Sequence, residues 1–338
     1  MRRWIKVAVA AVAVLAIGGW IAEPYVQDWM LLRGACAGAL PGDAVRELAV
    51  HGSHFTEEES TTHERLGSYS CSLGFEADDG DDELLLRMEA YTRRDDQDRE
   101  YMSLFEERGF SPYAALPGGL PGFVERFGSL QFLVPCPDLG RDTEGRQRRM
   151  LVRTVFGREA AAGQPAAYET AVALVAAASD RLGCGARPLR TPGGESGPPD
   201  PEDDPRTVPF DKADSACARA LRDALPRPSG WRLADGLNEA APTDRCELRT
   251  GDDDSGEGER GMTFAAWYGD WSGRLVTDEG VPRPLTATAR CDGEAAGFAL
   301  SADEDIPGLG TARQRALLRA FAEDRTRQRG CTDLRVTG

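Results

Sequence analysis

The feature that most constrains this chain is a pattern of cysteines that occurs twice. The sequence has 338 residues and eight cysteines, none of them in a Cys-x-x-Cys pair. In each half, the first cysteine lies in a small-residue helical pattern, the next two lie in strand-like runs, and the last follows a helix that ends at glycine. This repeated order indicates an internal duplication, and isolated cysteines in even number indicate disulfide bonds rather than a zinc or redox site.

We therefore assign every cysteine to a disulfide. The first module contains Cys36, Cys71, Cys136 and Cys184, and the second contains Cys217, Cys246, Cys291 and Cys331. Four cysteines permit about three pairings within a module. Of these we favour Cys36–Cys71 with Cys136–Cys184 and Cys217–Cys246 with Cys291–Cys331, since each bond then ties a terminal helix to the strand nearest in sequence. Each such bond contributes about 3–4 kcal/mol through loop-closure entropy.

Strand-like runs around polar turns predict the body of each module. The expected hairpins pair residues 69–75 with 84–91 and 130–136 with 151–156 in the first module, and 245–249 with 262–268 and 285–291 with 297–300 in the second. Helical periodicity before Cys184 and Cys331 predicts a closing helix in each. We expect an α+β fold, with an N-terminal transmembrane helix followed by two similar modules, each an antiparallel sheet packed by helices.

A segment rich in proline, glycine and acidic residues separates the two modules. Proline lacks an amide hydrogen and glycine lowers helix and strand propensity, so this segment favours an extended, solvated spacer. The sequence predicts four units: an N-terminal membrane anchor and stalk over residues 1–30, a first four-cysteine module over 31–190, a linker over 191–212 and a second four-cysteine module over 213–338.

The N-terminus has the pattern of a signal-anchor. Arg2, Arg3 and Lys6 precede an unbroken run of apolar or small residues over 7–22, and aromatic residues follow it. The positive-inside rule then predicts a single-pass protein of the cell membrane, with a cytoplasmic N-terminus and an extracellular body. The alternative is a secreted protein after signal cleavage, although Trp20 makes a poor cleavage site after Ala22.

The charge of the chain excludes one class of partner. The formal net charge is -16, and an acidic surface repels nucleic acid. We expect the membrane as a partner through the N-terminal helix, together with an unknown envelope protein or ligand, and no nucleic acid.

All three histidines, His51, His54 and His63, lie in one segment among several glutamates. Imidazole and carboxylate groups in such a cluster can hold Zn²⁺ or Cu²⁺. The spacing fits no established ligand frame, however, and the polar composition predicts a solvated loop. Extracytoplasmic metal binding through this loop is therefore an alternative function, and we expect no resident metal or cofactor.

No pattern in the sequence identifies a catalytic site, so we expect a protein that is not an enzyme. Histidine is confined to one segment, and there is no G-x-S-x-G motif for a serine nucleophile. A hydrolase based on carboxylates is a second alternative, although nothing among the 56 acidic residues singles out a pair. The aromatic cluster at residues 267–271 is assigned to the edge of the core of the second module rather than to an exposed binding surface.

The first module contains the runs Leu-Val-Pro-Cys-Pro-Asp-Leu at residues 133–139 and Asp-Arg-Leu-Gly-Cys at 180–184. With a helix cysteine followed by a strand cysteine, these runs resemble uncharacterised actinobacterial membrane-anchored cell-envelope proteins with disulfide-stapled, sensor-like extracellular modules. The resemblance covers most of the first module and, less closely, the second. It implies an extracellular location and disulfides, and it carries no activity. We expect a non-catalytic binding or envelope-interaction role.

Overall fold

Two antiparallel β-sheets with flanking helices form the body of the chain. The computed structural model describes residues 23–77, 80, 82–97, 100, 113–125, 128–143, 145–157, 163–193, 197–198, 207–225, 230–236, 243–250, 260–269, 285–291, 293–303, 306 and 308–337. The first sheet consists of β1 (Phe55–His63), β2 (Ser68–Glu76), β3 (Asp82–Tyr91), β4 (Tyr113–Ala115), β5 (Gly122–Glu125), β6 (Leu130–Pro135) and β7 (Arg149–Phe156). The second consists of β8 (Val208–Pro209), β9 (Trp231–Gly236), β10 (Thr243–Thr250), β11 (Arg260–Tyr268), β12 (Thr286–Cys291), β13 (Glu294–Ala302) and β14 (Thr332–Thr337).

The two sheets share a central strand order. The first sheet runs β1-β2-β3-β7-β6-β5-β4, and the second, read from its other end, runs β8-β9-β10-β11-β13-β12-β14. The five strands β1-β2-β3-β7-β6 therefore correspond in order to β9-β10-β11-β13-β12, and every pair is antiparallel. The hairpins expected from the sequence are β2–β3, β6–β7, β10–β11 and β12–β13. The sheets differ at their edges, where β5–β4 extends the first and β14 and β8 extend the second.

Besides a helical segment at residues 94–97 and 100, five α-helices accompany the sheets in the described part of the chain. They are α1 (residues 23–38), α2 (Gly42–Leu48), α3 (Pro165–Arg181), α4 (Ala216–Leu221) and α5 (Thr311–Gln328). The long helix α3 begins with a proline at its first turn, where an amide hydrogen is not needed, and it buries Tyr168, Ala171 and Leu174 against the first sheet. Helix α5 buries Leu317, Leu318 and Phe321 against the second sheet.

Four disulfides tie these elements together. They join Cys36 to Cys71, Cys136 to Cys184, Cys217 to Cys246 and Cys291 to Cys331, with Cα–Cα distances of 5.3, 4.3, 6.2 and 4.1 Å. The described residues contain no free cysteine. These pairs agree with the pairing that we favoured from the sequence, and each bond stays within one half of the chain.

The predicted transmembrane helix must be corrected. No helix among the described residues is long and apolar enough to cross a membrane. Helix α1 carries Glu23, Asp28 and Arg33, and it packs on the first sheet through Leu32 and Cys36. The apolar run at residues 7–22, on which the prediction depended, lies outside the described residues.

Each sheet buries both of its faces over part of its area. Side chains alternate along a strand, so in β6 Phe132 and Val134 face the helices while Leu133 faces the other way. The residues on that second face form a cluster with the second sheet: Phe123, Leu133, Leu151, Ala265, Trp267 and Ala299. We call these six residues the intersheet cluster. The layers of the described structure are therefore helices, sheet, sheet and helices.

Candidate functional site

The segment that contains the histidines does not form the expected loop. Residues 55–63 are strand β1, which pairs with β2 at the edge of the first sheet, and His63 is its last residue. His54 Nδ1 lies 2.9 Å from Asp28 Oδ2 of helix α1, while His51 lies in an exposed turn. Among the described residues, no three histidine, cysteine or acidic side chains are grouped so that they could hold a metal ion.

The aromatic cluster of the second half is part of the core where it is described. Trp267 is fully buried in the intersheet cluster, and Tyr268, on the opposite face of β11, is buried toward helix α5. The Tyr268 hydroxyl donates to Asp244 Oδ2 at 2.7 Å, and the Arg329 guanidinium lies 3.7 Å from its ring centroid. Burial, and then the Asp244 carboxylate, raise the pKa of Tyr268 well above its usual value. Trp271 lies outside the described residues.

Glu89 of strand β3 and Glu100, a helical residue that follows that strand, form a pair of carboxylates whose surroundings do not suit hydrolysis. Arg153 Nη1 lies 4.0 Å from Glu89 Oε2 and 3.5 Å from Glu100 Oε2. Both carboxylates lie against the same Arg153 guanidinium, so their oxygens serve as ion-pair partners of that side chain and not as a pair that faces a cavity. Tyr91 lies beside them, and burial together with the two glutamates raises its pKa far above the usual value. We interpret this group as structural.

A basic groove at one end of the first sheet is the site with the clearest chemistry. Its main cavity has a volume of about 590 Å³ and is lined by Glu64, Arg65, Gly67, Thr92, Arg93, Leu139, Arg148, Arg181, Leu182 and Gly183. A smaller cavity of about 200 Å³ is lined by Thr92, Arg93, Arg94, Asp95, Asp142, Gln147, Arg148 and Arg149. The two cavities share Thr92, Arg93 and Arg148 and therefore form one groove, which we call the arginine groove.

Four structural elements end together to form the arginine groove. The β1–β2 turn supplies Arg65, the end of β3 precedes Arg93, β7 begins just after Arg148, and helix α3 ends at Arg181. In an antiparallel sheet, the end of one strand lies beside the start of its neighbour, and α3 runs back along the sheet to the same edge. Residues that are far apart in sequence are thus brought to one rim.

Two glycines hold the backbone of the groove in tight turns. Gly67 has φ +62°, and its carbonyl accepts from the Thr92 amide at 2.8 Å and from Thr92 Oγ1 at 2.9 Å, which locks the β1–β2 turn to the end of β3. A Cβ atom at Gly67 would lie 2.3 Å from Thr92 Oγ1. Gly183, with φ +61°, ends helix α3 in the left-handed conformation, and the amide of Cys184 donates to the carbonyl of Ser179 at 2.9 Å.

Four arginines of the groove have no partner for their charge among the described residues. In the part of the chain that the structure describes, the side chains of Arg65, Arg93, Arg148 and Arg181 make no hydrogen bond and no ion pair, and all four are exposed. Arg149 differs, because its Nη2 lies 2.7 Å from Glu294 Oε2 of the second sheet. The acidic residue in the lining of the main cavity is Glu64. The cavity is therefore strongly positive in a chain whose net charge is -16.

Sequence reasoning did not identify these arginines. They lie in four separate segments and belong to no motif, so no local spacing brings them together. The signal available in the sequence was indirect: each lies within three residues of a predicted strand or helix end or of a turn glycine. Only the strand order shows that these ends share one edge of the sheet.

The chain matches no family model, no curated protein and no solved structure. The chemistry of the arginine groove is therefore read from its own residues.

Proposed function

We propose that this chain is an extracytoplasmic, non-catalytic binding protein that takes an anionic ligand in the arginine groove. The observation that carries the proposal is a set of four guanidinium groups around one cavity that have no partner in the part of the chain that the structure describes: Arg65, Arg93, Arg148 and Arg181. Like charges that share a cavity repel one another, and an anion placed between them relieves that repulsion while it forms charge-assisted hydrogen bonds.

The chemistry of arginine points to an oxyanion. A guanidinium group is planar and presents its donors in a fork that matches phosphate or carboxylate oxygens. The main cavity, at about 590 Å³, lies in the size range of about 300–1,000 Å³ that is typical of small-molecule sites. The C-terminal end of α3 also lies at the groove, and its partial negative charge of about one half opposes an anion. Four full positive charges outweigh it.

A binding role accounts for the lining of the groove better than catalysis does. Among the described residues that line the main cavity there is no histidine and no cysteine, and the acidic one is Glu64. Nucleophilic catalysis pairs a nucleophile with a base that reaches it, and this lining offers no such pair.

Disulfide bonds support an extracytoplasmic location. Four of them join elements within the described residues. Such bonds form and persist in oxidising compartments and are rare in the cytosol. The resemblance to cell-envelope proteins agrees with this location.

The proposal is tested by calorimetric titration of the oxidised full chain with inorganic pyrophosphate at low ionic strength. We expect binding that weakens as salt rises, because exposed charges are screened. The double variant Arg93→Gln/Arg148→Gln should bind about 10- to 100-fold more weakly, since each charge-assisted hydrogen bond contributes about 1.5–3 kcal/mol at most and exposure reduces this.

The matched control is Arg313→Gln/Arg319→Gln, which removes the same charge from exposed positions of helix α5. Loss of binding in the groove variant alone supports the site. Equal affinity in both variants, or no binding of either pyrophosphate or malonate by the native chain, refutes the proposal.

A further inference from the structure

We infer that the ligand of the arginine groove is a compact anion with two oxyanion groups, phosphate or carboxylate. This inference rests on the proposed function and adds the number of the charged groups. It follows from how the four unpaired arginines are divided between the two cavities and from where acidic residues begin.

The four arginines fall into two pairs. Arg65 and Arg181 line the main cavity alone, whereas Arg93 and Arg148 line both cavities and lie at their junction. An oxyanion group has a few acceptor oxygens, and one bidentate guanidinium already occupies two of them. Four guanidinium charges exceed the charge of one carboxylate or of one phosphate group, which is about -1.5 to -2, so two groups, one at each pair, balance the four arginines better than a single group does.

Acidic residues limit the ligand at both ends. Glu64 lies beside Arg65 in the main cavity, and Asp95 and Asp142 line the far part of the smaller one. The fourth base of the smaller cavity, Arg149, is held by Glu294 at 2.7 Å. The other two arginines of the smaller cavity, Arg94 and Arg149, both have interaction partners, so the run of unpaired arginines among the described residues ends at Arg93 and Arg148.

The net charge of the whole chain also favours a compact ligand over a long polyanion. Beyond the groove, a long polyanion would lie along the surface of a protein with a net charge of -16. Repulsion at that surface reaches about 8 Å at physiological ionic strength. A compact ligand keeps its charge inside the groove and avoids this repulsion.

The test compares anions by titration calorimetry on the oxidised full chain. Inorganic phosphate and acetate carry one group, pyrophosphate and malonate carry two, and long-chain polyphosphate represents a polymer. We expect pyrophosphate to bind at least about tenfold more tightly than phosphate, or malonate at least about tenfold more tightly than acetate. The two series show whether phosphate or carboxylate is preferred.

The variant Arg65→Gln/Arg181→Gln should reduce the two-group advantage to about twofold or less while binding of the one-group anion persists. Arg313→Gln/Arg319→Gln should keep the full advantage, which separates the pair from general electrostatics. Thermal unfolding of each variant verifies that it is folded, and Arg65→Lys/Arg181→Lys, which keeps the charge but loses the fork, should give an intermediate ratio.

Equal affinity for one-group and two-group anions would overturn the inference while anion binding itself stands. Tighter binding of long-chain polyphosphate than of pyrophosphate, at equal concentration of chains, would also overturn it in favour of a polymer. Absence of binding by every anion would refute the proposed function itself.

Discussion

Replacement of Trp267 by alanine should lower the free energy of unfolding more than replacement of any exposed tryptophan does. Trp267 is fully buried in the intersheet cluster, where it is the largest side chain. A buried aromatic side chain removes about 150–250 Å² from water, and Trp→Ala substitutions in cores cost about 3–5 kcal/mol. For a unit of this size, about 4 kcal/mol corresponds to a fall in Tm of about 8–16 °C.

Differential scanning calorimetry of the oxidised chain measures this effect. We expect a lower Tm and a transition that separates into two, because the cluster that joins the sheets loses its central member while the cores beneath the helices remain. Trp29→Ala is the control, since Trp29 is 48% exposed and contacts the Arg33 guanidinium at 4.2 Å. Its loss should cost less than about 1 kcal/mol. If both variants melted at the same temperature, the sheets would not share a core.

Three further predictions concern the groove, a buried hydroxyl and a disulfide. Glu294→Gln should release Arg149 into the smaller cavity, so that one more guanidinium faces the anion. The affinity for pyrophosphate, measured by calorimetry, should rise about two- to fivefold. Lower affinity would contradict the electrostatic basis of the groove. Burial raises the pKa of Tyr168 from its usual value of 10.0 to about 12. The unfolded chain therefore loses this proton at lower pH than the folded chain, so the stability is unaffected below pH 10 and falls as pH rises toward 12. Tyr168→Phe should therefore leave the stability at pH 7 unchanged or raise it, because the hydroxyl has no partner among the described residues. In urea titrations the variant should lose less stability than the native chain between pH 10 and 12. A large loss of stability at pH 7 would contradict this, because it would mean that the hydroxyl has a partner. Cys36→Ala/Cys71→Ala should lower the free energy of unfolding by about 3–4 kcal/mol, and an unchanged value would show that this bond does not restrain the unfolded chain.

Local patterns in the sequence predicted the hairpins and the pairing of cysteines. Runs such as residues 84–91 alternate or remain apolar over strand length, and Gly183 directly before Cys184 marks the end of a helix. These signals come from residues that are close in sequence, so they can be read without knowledge of the tertiary structure.

Strand β1 and the intersheet cluster depended on contacts that the sequence does not show. Residues 55–63 are polar because β1 is an edge strand, and their pairing with β2 rather than their composition makes them a strand. The apolar run at 132–134 indicates burial on both faces, but nothing local shows that Trp267 covers one of them.

The arginine groove is the part that sequence reasoning could least reach. Its four arginines come from a turn, two strand ends and a helix end. Arginine is abundant throughout the chain, so nothing in the sequence distinguishes these four from the others. Their chemistry depends on which arginines lack acidic neighbours, and only the three-dimensional arrangement settles that.

A crystal structure of the oxidised chain grown with pyrophosphate at low salt tests the central claim most directly. We expect the anion between Arg65 and Arg181 on one side and Arg93 and Arg148 on the other, with the two phosphate groups divided between the pairs. Pyrophosphate bound elsewhere, or a groove that stays free of it at concentrations that saturate the calorimetric signal, would contradict the claim.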